Sequence, residues 1–161
     1  MVLIKTFTTR FAGGIRSNAK RQPRVFVAPE VPVAFSAFRN SASGGVGANQ
    51  GIVFDLVQVN QGNGYHNQHG LFIAPQSGIY FFTTSLLHPS QSQPSHNSIM
   101  KNGVAVARFH AESNQWEQTS QSIILNVNAG DEIYVRNDDY NNESYNAGLY
   151  SSFSGFLLWQ L

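Results

Sequence analysis

The stretch Phe72-Ile73-Ala74-Pro75-Gln76-Ser77-Gly78-Ile79-Tyr80-Phe81-Phe82 decides the fold class of this chain. Pro75 and Gly78 mark a corner, because proline cannot donate to a sheet ladder and glycine accepts turn geometries that other residues avoid. The residues from 78 to 87 are rich in Ile, Tyr, Phe and Thr, which favour strands. Apolar side chains fall on both faces of this run, so we expect one face in a core and the other against a second subunit.

Short β-type runs continue on both sides of that stretch. They are separated by turn residues and occupy residues 33–38, 51–59, 70–73, 97–101, 104–109, 118–127, 132–136 and 152–161. Asn102-Gly103, between two of these runs, is the strongest short-range signal for a hairpin. Roughly eight to ten strands with no helical stretch between them predict an all-β sandwich or jelly roll.

Composition and charge divide the 161 residues into a basic arm and one globular domain. The chain is 42% hydrophobic and 12% charged, which is enough apolar material for one core. Six of its ten Lys and Arg residues, but only one of its nine Asp and Glu residues, lie in the first 30 positions. We therefore expect an arm or linker at residues 1–31 and a domain at residues 32–161. The domain is mildly acidic and lacks the basic face that phosphate binding needs, which argues against a nucleic-acid partner.

Neither the sequence of the arm nor the absence of cysteine identifies the cellular compartment of the protein. Helix and strand are both compatible with the first residues, where apolar positions at helical spacing alternate with threonines. A basic segment that is free of acids up to Glu30 is also typical of a mitochondrial transit peptide. Lys5 and the threonines interrupt the apolar run that a secretory signal needs. No apolar run approaches the roughly 18 residues of a membrane span, so we expect no membrane insertion.

A series of short blocks gives the region from residue 33 onward a recognisable pattern. Besides residues 72–82, the blocks are Val33-Ala34-Phe35-Ser36-Ala37, Ile52-Val53-Phe54-Asp55, residues 60–65, Lys101-Asn102-Gly103, residues 125–131, Gly148-Leu149-Tyr150 and residues 153–158. In their sequence and order they resemble the globular head of complement C1q, in the C1q and tumour-necrosis-factor superfamily. The resemblance covers residues 32–161 and implies a ten-stranded jelly roll that assembles as a homotrimer around a threefold axis.

The resemblance also carries a functional expectation. No Gly-X-Y repeat precedes residue 32 in this sequence, so the chain is more similar to the short C1q-domain proteins of invertebrates, several of which are lectins or pattern-recognition proteins of innate immunity. This implies a secreted protein that binds glycans, such as sialic acid or microbial polysaccharide, through the loops of a trimer. A protein-binding ligand or extracellular matrix component of the same fold is the alternative. The sequence has no nucleophile elbow and no Gly-rich loop opening a helix, so we do not expect an enzyme.

Aromatic and amide side chains in polar loops are the candidate ligand-binding residues, because sugar sites combine an aromatic plane with hydrogen-bonding groups. We expect Trp116, Tyr140 and Tyr145 to be the aromatic residues that the core explains least. Asn63 and His66, in a second amide-rich loop, are further candidates. For Trp116, a position covering the end of the sandwich or contacting another subunit is an equal alternative.

The acidic loop at residues 137–143 is the candidate metal site. Asp138, Asp139 and Glu143 could hold calcium, which takes six to eight oxygen ligands, although a solvated acidic loop is the alternative that we favour. The resemblance implies acidic residues just before the last strand at an axial calcium site, and this chain has Ser151 and Ser152 there. The five histidines are expected to be ordinary surface residues.

Overall fold

The computed structural model describes residues 32–41, 45–91 and 93–161, and the arm predicted at residues 1–31 lies outside them. Within the described residues the chain forms ten β-strands and no α-helix. The strands are β1 (Ala34–Phe38), β2 (Leu56–Gln61), β3 (Tyr65–His66), β4 (Leu71–Ile73), β5 (Gly78–His88), β6 (Ser95–Lys101), β7 (Val104–Ala111), β8 (Glu117–Val127), β9 (Glu132–Asn137) and β10 (Ser152–Gln160). The predicted all-β class is confirmed. No helix in these three ranges is long and apolar enough to span a membrane.

The strands form two antiparallel five-stranded sheets that pack as a jelly-roll sandwich. The first sheet has the order β2-β1-β10-β5-β8, and the second sheet has the order β3-β4-β9-β6-β7. The predicted hairpin around Asn102-Gly103 joins β6 to β7, and both turn residues have the positive φ angles that this dipeptide favours. The run predicted at residues 78–87 is β5, which lies between β10 and β8 in the first sheet.

The prediction of one strand at residues 51–59 is wrong for the first half of that range. Gly51 bridges to Arg136 of the second sheet, whereas Leu56 pairs with Phe38 of the first sheet. The segment between them crosses from one sheet to the other, so it has no continuous ladder. Ile52 and Phe54 are nevertheless fully buried. The apolar alternation in this segment therefore reflects burial rather than strand pairing.

Stacked aromatic rings join the two sheets in the core. Phe35 of β1 lies 4.9 Å from Tyr65 and 4.8 Å from Phe72, between ring centroids, and both of these rings come from the second sheet. The edge of Phe153, from β10, meets the Phe35 ring at 4.9 Å. Aromatic pairs of this kind add about 0.5–1.5 kcal/mol each beyond the burial of apolar area. The aromatic residues of the recognised blocks thus hold the sandwich together.

A glycine makes this ring packing possible. Gly155 on β10 pairs with Phe35 on one side and Phe82 on the other. A Cβ atom at this position would lie 2.5 Å from a Phe82 ring carbon and 2.8 Å from a Phe35 ring carbon. Because real Cβ atoms do not approach other atoms so closely, only glycine fits between the two rings.

The outer face of the first sheet carries the second set of apolar residues that the sequence predicted. Phe81 of β5 pairs with Phe156 of β10 and with Ile124 of β8, which places the three side chains in one row across the sheet. Phe156 is 44% exposed and Ile124 is 60% exposed. The alternate positions Tyr80 and Phe82 are fully buried. The first sheet therefore has an apolar outer face that is not buried in the core of the domain.

The two ends of the sandwich differ. One end, which we call the loop end, holds the connections β1–β2, β5–β6, β7–β8 and β9–β10, because Phe38, His88, Ala111 and Asn137 end their strands there. Hydrogen bonds such as Asn146 N to Leu87 O and Arg39 N to Ser151 O tie the segments of this end together. Val33 and Leu161 lie at the opposite end, where Leu161 N donates to Ser77 O. The first described residues and the last residue thus point away from the loop end.

Candidate functional site

A polar groove of about 750 Å³ opens on the outer face of the second sheet, next to the loop end. It is lined by His96 and Asn97 of β6, Arg108, Phe109 and His110 of β7, Arg136 of β9, and Asp138 and Asp139 of the following loop. Side chains from three neighbouring strands and one loop therefore converge on one concave surface. A groove with hydrogen-bond donors and acceptors in close array is the kind of site that binds a polar ligand.

Strand register sets the positions of the basic side chains in the groove. His96 pairs with His110 across β6 and β7, and the two rings stack with centroids 5.4 Å apart and planes 17° apart. Two residues further along β6, Ser98 pairs with Arg108 on one side and with Arg136 on the other. The histidine pair thus lies nearer the loop end, with the two arginines in the next outward-facing row.

The carboxylates of the groove already contact other protein side chains, whereas one of its two arginines does not among the described residues. Asp138 Oδ1 accepts from Arg136 Nε at 2.9 Å, and Asp138 Oδ2 accepts from Ser98 Oγ. Asp139 contacts His96 Nδ1, and Glu112 Oε1 lies 3.2 Å from His110 Nε2. Arg108 is exposed, and within the described ranges its guanidinium has no hydrogen bond or ion pair. Among the residues that the structure describes, Arg108 is therefore the arginine of the groove that lacks a counter-charge.

Asn137, the last residue of β9, fixes the loop that follows the groove. Its side chain is fully buried. Its amide nitrogen lies 2.8 Å from Tyr140 O, 3.0 Å from Gly47 O and 3.2 Å from Val46 O. One side chain thus binds the β9–β10 loop to the β1–β2 loop, and it sets the position of Asp139 and Tyr140 beside the groove.

Trp116 and Tyr140 lie in the two loops that border the groove. Trp116 ends the β7–β8 loop and is 62% exposed. That loop also carries Glu112, which contacts His110 in the groove. Tyr140 is 40% exposed and directly follows the groove residues Asp138 and Asp139. The structure therefore places these two predicted residues at the same end of the sandwich, with exposed rings.

Tyr145 is a correction to the sequence-based expectation, because the core does account for it. Its side chain is only 4% exposed, and its hydroxyl donates to Asn97 Oδ1 at 2.7 Å. The edge of the His88 ring packs against it at 5.1 Å. Burial raises the pKa of the Tyr145 hydroxyl. The polar loop that contains Tyr145 folds back across the end of the sandwich, which its composition alone did not predict.

Asn63 and His66 do not join the groove. Asn63 has a φ of 54° and follows β2, whose last residue Gln61 pairs with Ala34 at the end opposite the loop end. His66 is exposed on β3, which is the edge strand of the second sheet on the side away from β6 and β7. These two candidates therefore belong to a surface separate from that of Trp116 and Tyr140.

The three candidate metal ligands do not converge. Asp138 bonds to Arg136 and Ser98, and Asp139 contacts His96. Glu143 is 2% exposed and its Oε2 accepts from Gln91 Nε2 at 3.3 Å, and burial raises its pKa. In residues 32–41, 45–91 and 93–161, no three His, Cys, Asp or Glu side chains are grouped so that they could hold a metal ion. Ser151 is fully buried, where its hydroxyl accepts from Leu87 N at 3.1 Å.

Comparison with known proteins agrees with this architecture. The C1q domain profile matches residues 34–158. Complement C1q tumor necrosis factor-related protein 3 of Mus musculus is 31% identical over 138 residues, which are 83% of this chain and 54% of that protein. Caprin-2 of Danio rerio is 30% identical over 139 residues, which are 84% of this chain and 15% of that protein. The chain thus spans about half or less of the length of these curated relatives.

Solved structures share the fold at low sequence identity. The globular domain of the zebrafish complement 1qA protein superposes with a TM-score of 0.67 at 18% identity, covering 80% of this chain and 99% of that domain. Murine APRIL gives a TM-score of 0.64 at 13% identity, with 81% of this chain and 99% of that structure covered. At these identities the structural likeness shows the fold alone.

Proposed function

This chain belongs to the C1q domain family, and from that premise we propose that it is a secreted recognition protein that binds glycans through the loop end of a homotrimer. Its role on this proposal is binding rather than catalysis. The observation that carries the proposal is the polar groove, which is lined by His96, Arg108 and Asp139 among others and is bordered by loops with exposed aromatic rings.

The apolar outer face of the first sheet supports the trimer. Phe81, Phe156 and Ile124 form a row that would be exposed to solvent in a monomer. Exposed apolar patches of this kind usually mark interfaces. The groove lies on the second sheet, whose outer face points away from that row. Three subunits that bury their first sheets would therefore leave three grooves free. Because a multivalent ligand can engage several of them together, weak single sites would give strong overall binding.

The chemistry of the loop end supports a glycan as the ligand. Sugar rings offer apolar faces that stack on aromatic planes and hydroxyl groups that bond to amides, carboxylates and basic groups. Trp116 and Tyr140 supply exposed aromatic planes, and the groove supplies the polar groups. Asn63 and His66 would form a second, separate contact on this proposal. The proposal does not require calcium, because Asp138, Asp139 and Glu143 bond to other protein groups and do not converge.

A glycan array run with calcium and again with a chelator tests the proposal. We expect specific glycans to be retained, and the signal to fall about tenfold or more in Trp116→Ala or Tyr140→Ala. Val104→Ala is the matched control, because Val104 is an exposed apolar residue, 65% accessible, at the opposite end of the sandwich. A folded trimer that binds no glycan, while binding a protein partner regardless of the loop changes, would support the protein-binding alternative instead.

A further inference from the structure

We propose that Asn142 is the acceptor for an N-linked oligosaccharide, so that the loop end carries a covalently attached glycan beside the polar groove. Asn142-Glu143-Ser144 is the only Asn-x-Ser or Asn-x-Thr sequence, with x other than proline, among the 161 residues. Such a sequence is modified in a chain that enters the secretory pathway, so this inference rests on the proposed function of a secreted protein. It goes beyond that function by assigning a modification site.

The fold places the two groups that glycosylation requires at the surface and anchors the residue between them. Glu143 is 2% exposed, whereas Asn142 and Ser144 are both exposed. The backbone of Glu143 bridges to Val46 of the β1–β2 loop, since Val46 N donates to Glu143 O at 2.7 Å and Glu143 N donates to Val46 O at 2.9 Å. The acceptor amide and the hydroxyl two positions later thus flank a fixed, buried residue.

The side-chain amide of Asn142 is available to carry a substituent. Among the described residues it forms no hydrogen bond, in contrast to its neighbour Asn141, whose Oδ1 accepts from Ala48 N at 3.0 Å. Asn142 has a φ of 67°, in the left-handed region that asparagine tolerates better than most residues. Its Cα and Oδ1 lie against Gly45, where a Cβ atom would collide with both of them. Gly45 therefore makes room for the acceptor residue.

The hydroxyl of Ser144 has no role in holding the loop. The backbone of Ser144 is fixed by Gln91, whose Nε2 donates to Ser144 O at 3.2 Å and whose Oε1 accepts from Ser144 N at 3.3 Å. The hydroxyl itself forms no hydrogen bond within the part of the chain that the structure describes. Since an exposed side chain without partners contributes little to stability, the fold does not require a hydroxyl here, but the glycosylation sequence does.

The position of Asn142 is compatible with the trimer and with the groove. The β9–β10 loop continues from β9 of the second sheet and runs beside the β1–β2 loop through the bridges Gly51 to Arg136 and Val46 to Glu143. The apolar row that we assign to the trimer lies on the first sheet, and the groove lies on the other side of β9, toward β6 and β7. A glycan on Asn142 would therefore border the groove without filling it.

The transfer exchanges one bond for another and involves no oxidation or reduction. Asn142 Nδ2 loses a proton and forms a bond to the anomeric carbon of the oligosaccharide. The bond from that carbon to the diphosphate of a lipid-linked sugar donor breaks, and the lipid diphosphate leaves with its electron pair while solvent takes up the proton. The donor and the transferase belong to the secretory pathway of the producing cell.

Production of the full chain in a cultured mammalian cell line, behind a cleavable secretory signal, tests the proposal. The secreted protein should be heavier than its sequence predicts, and peptide N-glycosidase F should remove the excess mass. Because this enzyme converts the acceptor asparagine to aspartate, the peptide mass spectrum should show Asp at position 142 after the treatment.

Variants assign the excess mass to this sequence. Asn142→Gln and Ser144→Ala should each abolish the glycosidase-sensitive mass, and Ser144→Ala does so while leaving the left-handed residue Asn142 in place. Ser144→Thr should retain the glycan, because threonine supplies the same hydroxyl group. Asn141→Gln is the matched control and should retain it too, since this neighbouring exposed amide is followed two positions later by Glu143.

The outcomes separate this inference from the recognition function. A secreted protein without glycosidase-sensitive mass overturns the modification, and so does an excess that persists in Ser144→Ala. In both cases the glycan array, run on the same protein, decides the recognition function independently. A protein that is glycosylated at Asn142 but binds nothing on the array overturns the recognition function and leaves the modification standing.

Discussion

His96 on β6 lies directly opposite His110 on β7, with the two imidazole rings stacked 5.4 Å apart at the end of the groove. The pairing depends on a bulge between Ile99 and Met100, which shifts the register of the hairpin by one residue. Without the bulge His96 would face Phe109, and the two histidines would not stand side by side. One irregular position in a hairpin thus creates the cluster of basic groups at the loop end.

Acid should destabilise the fold through the buried His88. Its ring is 1% exposed, its two nitrogens have no hydrogen-bond partner in the described part of the chain, and burial lowers its pKa to about 4. Since the unfolded chain has the ordinary pKa of 6.5, the contribution of neutral His88 to stability is complete above pH 6.5 and is lost as the pH falls toward 4. We expect a loss of up to about 3 kcal/mol over this interval.

Urea unfolding at pH 7.5 and pH 4.5 measures the effect. The variant His88→Leu should keep or exceed the wild-type free energy of unfolding at pH 7.5, because it removes two unpaired nitrogens from the core. Its stability should also fall less than that of the wild type between the two pH values. Parallel loss of stability in both proteins would show that groups other than His88 cause the acid sensitivity.

Gly155→Ala should destabilise the domain by about 2–4 kcal/mol, because the new methyl group would lie 2.5 Å from the Phe82 ring and 2.8 Å from the Phe35 ring. Thermal and urea unfolding measure the change. Gly103→Ala is the comparison, since a methyl group there meets no atom within 4 Å and adds only the strain of a φ of 80°, about 1–2 kcal/mol. A Gly155→Ala protein as stable as Gly103→Ala would contradict the packing described for the core.

Ile124→Glu should dissociate the proposed trimer and leave the fold intact. Ile124 is 60% exposed in the apolar row of the first sheet, so a carboxylate is tolerated in a monomer but would have to be desolvated in an interface. Sedimentation velocity should give a trimer for the wild type and a monomer for the variant, with the same β-rich circular dichroism spectrum. A wild-type chain that sediments as a monomer at micromolar concentration would rule out the trimer.

Asn137→Asp should cost about 3 kcal/mol although it hardly changes the shape of the side chain. The amide nitrogen that it removes lies within 3.2 Å of three backbone carbonyls, and a buried carboxylate in its place would be repelled by them. The midpoint of thermal unfolding measures this loss. Hydrogen exchange should also become faster in the β9–β10 loop around residue 140. Unchanged protection there would mean that other contacts hold the loop.

Most of the fold could be predicted from the sequence, because local signals and burial agree. Proline, glycine and aromatic residues at 72–82 correctly define β4, the corner and β5. Asn102-Gly103 correctly predicts the hairpin. At residues 51–55 the same apolar alternation accompanies a crossing between sheets, and periodicity cannot distinguish the two cases. The sequence also correctly predicted a strand with apolar residues on both faces.

The candidate site was less predictable, because it depends on contacts between distant segments. Trp116 and Tyr140 were identified as loop aromatics, and both are exposed at the loop end. Tyr145 has the same sequence surroundings, but a hydrogen bond to Asn97 and the ring of His88 bury it. The basic residues of the groove were missed for the same reason. They are far apart in sequence, and the count from the hairpin turn to His96 and His110 is offset by the bulge.

The position of Val33 and Leu161 has a practical consequence. β5 runs the full height of the sandwich with 11 residues, so these two positions stand about 35 Å from the loop end. A fluorescent protein, biotin tag or surface anchor attached next to Val33 or Leu161 would therefore leave the grooves accessible to solvent. Particles or sensor chips that carry the protein in this way should display every copy in one orientation, with the loop end facing the solution.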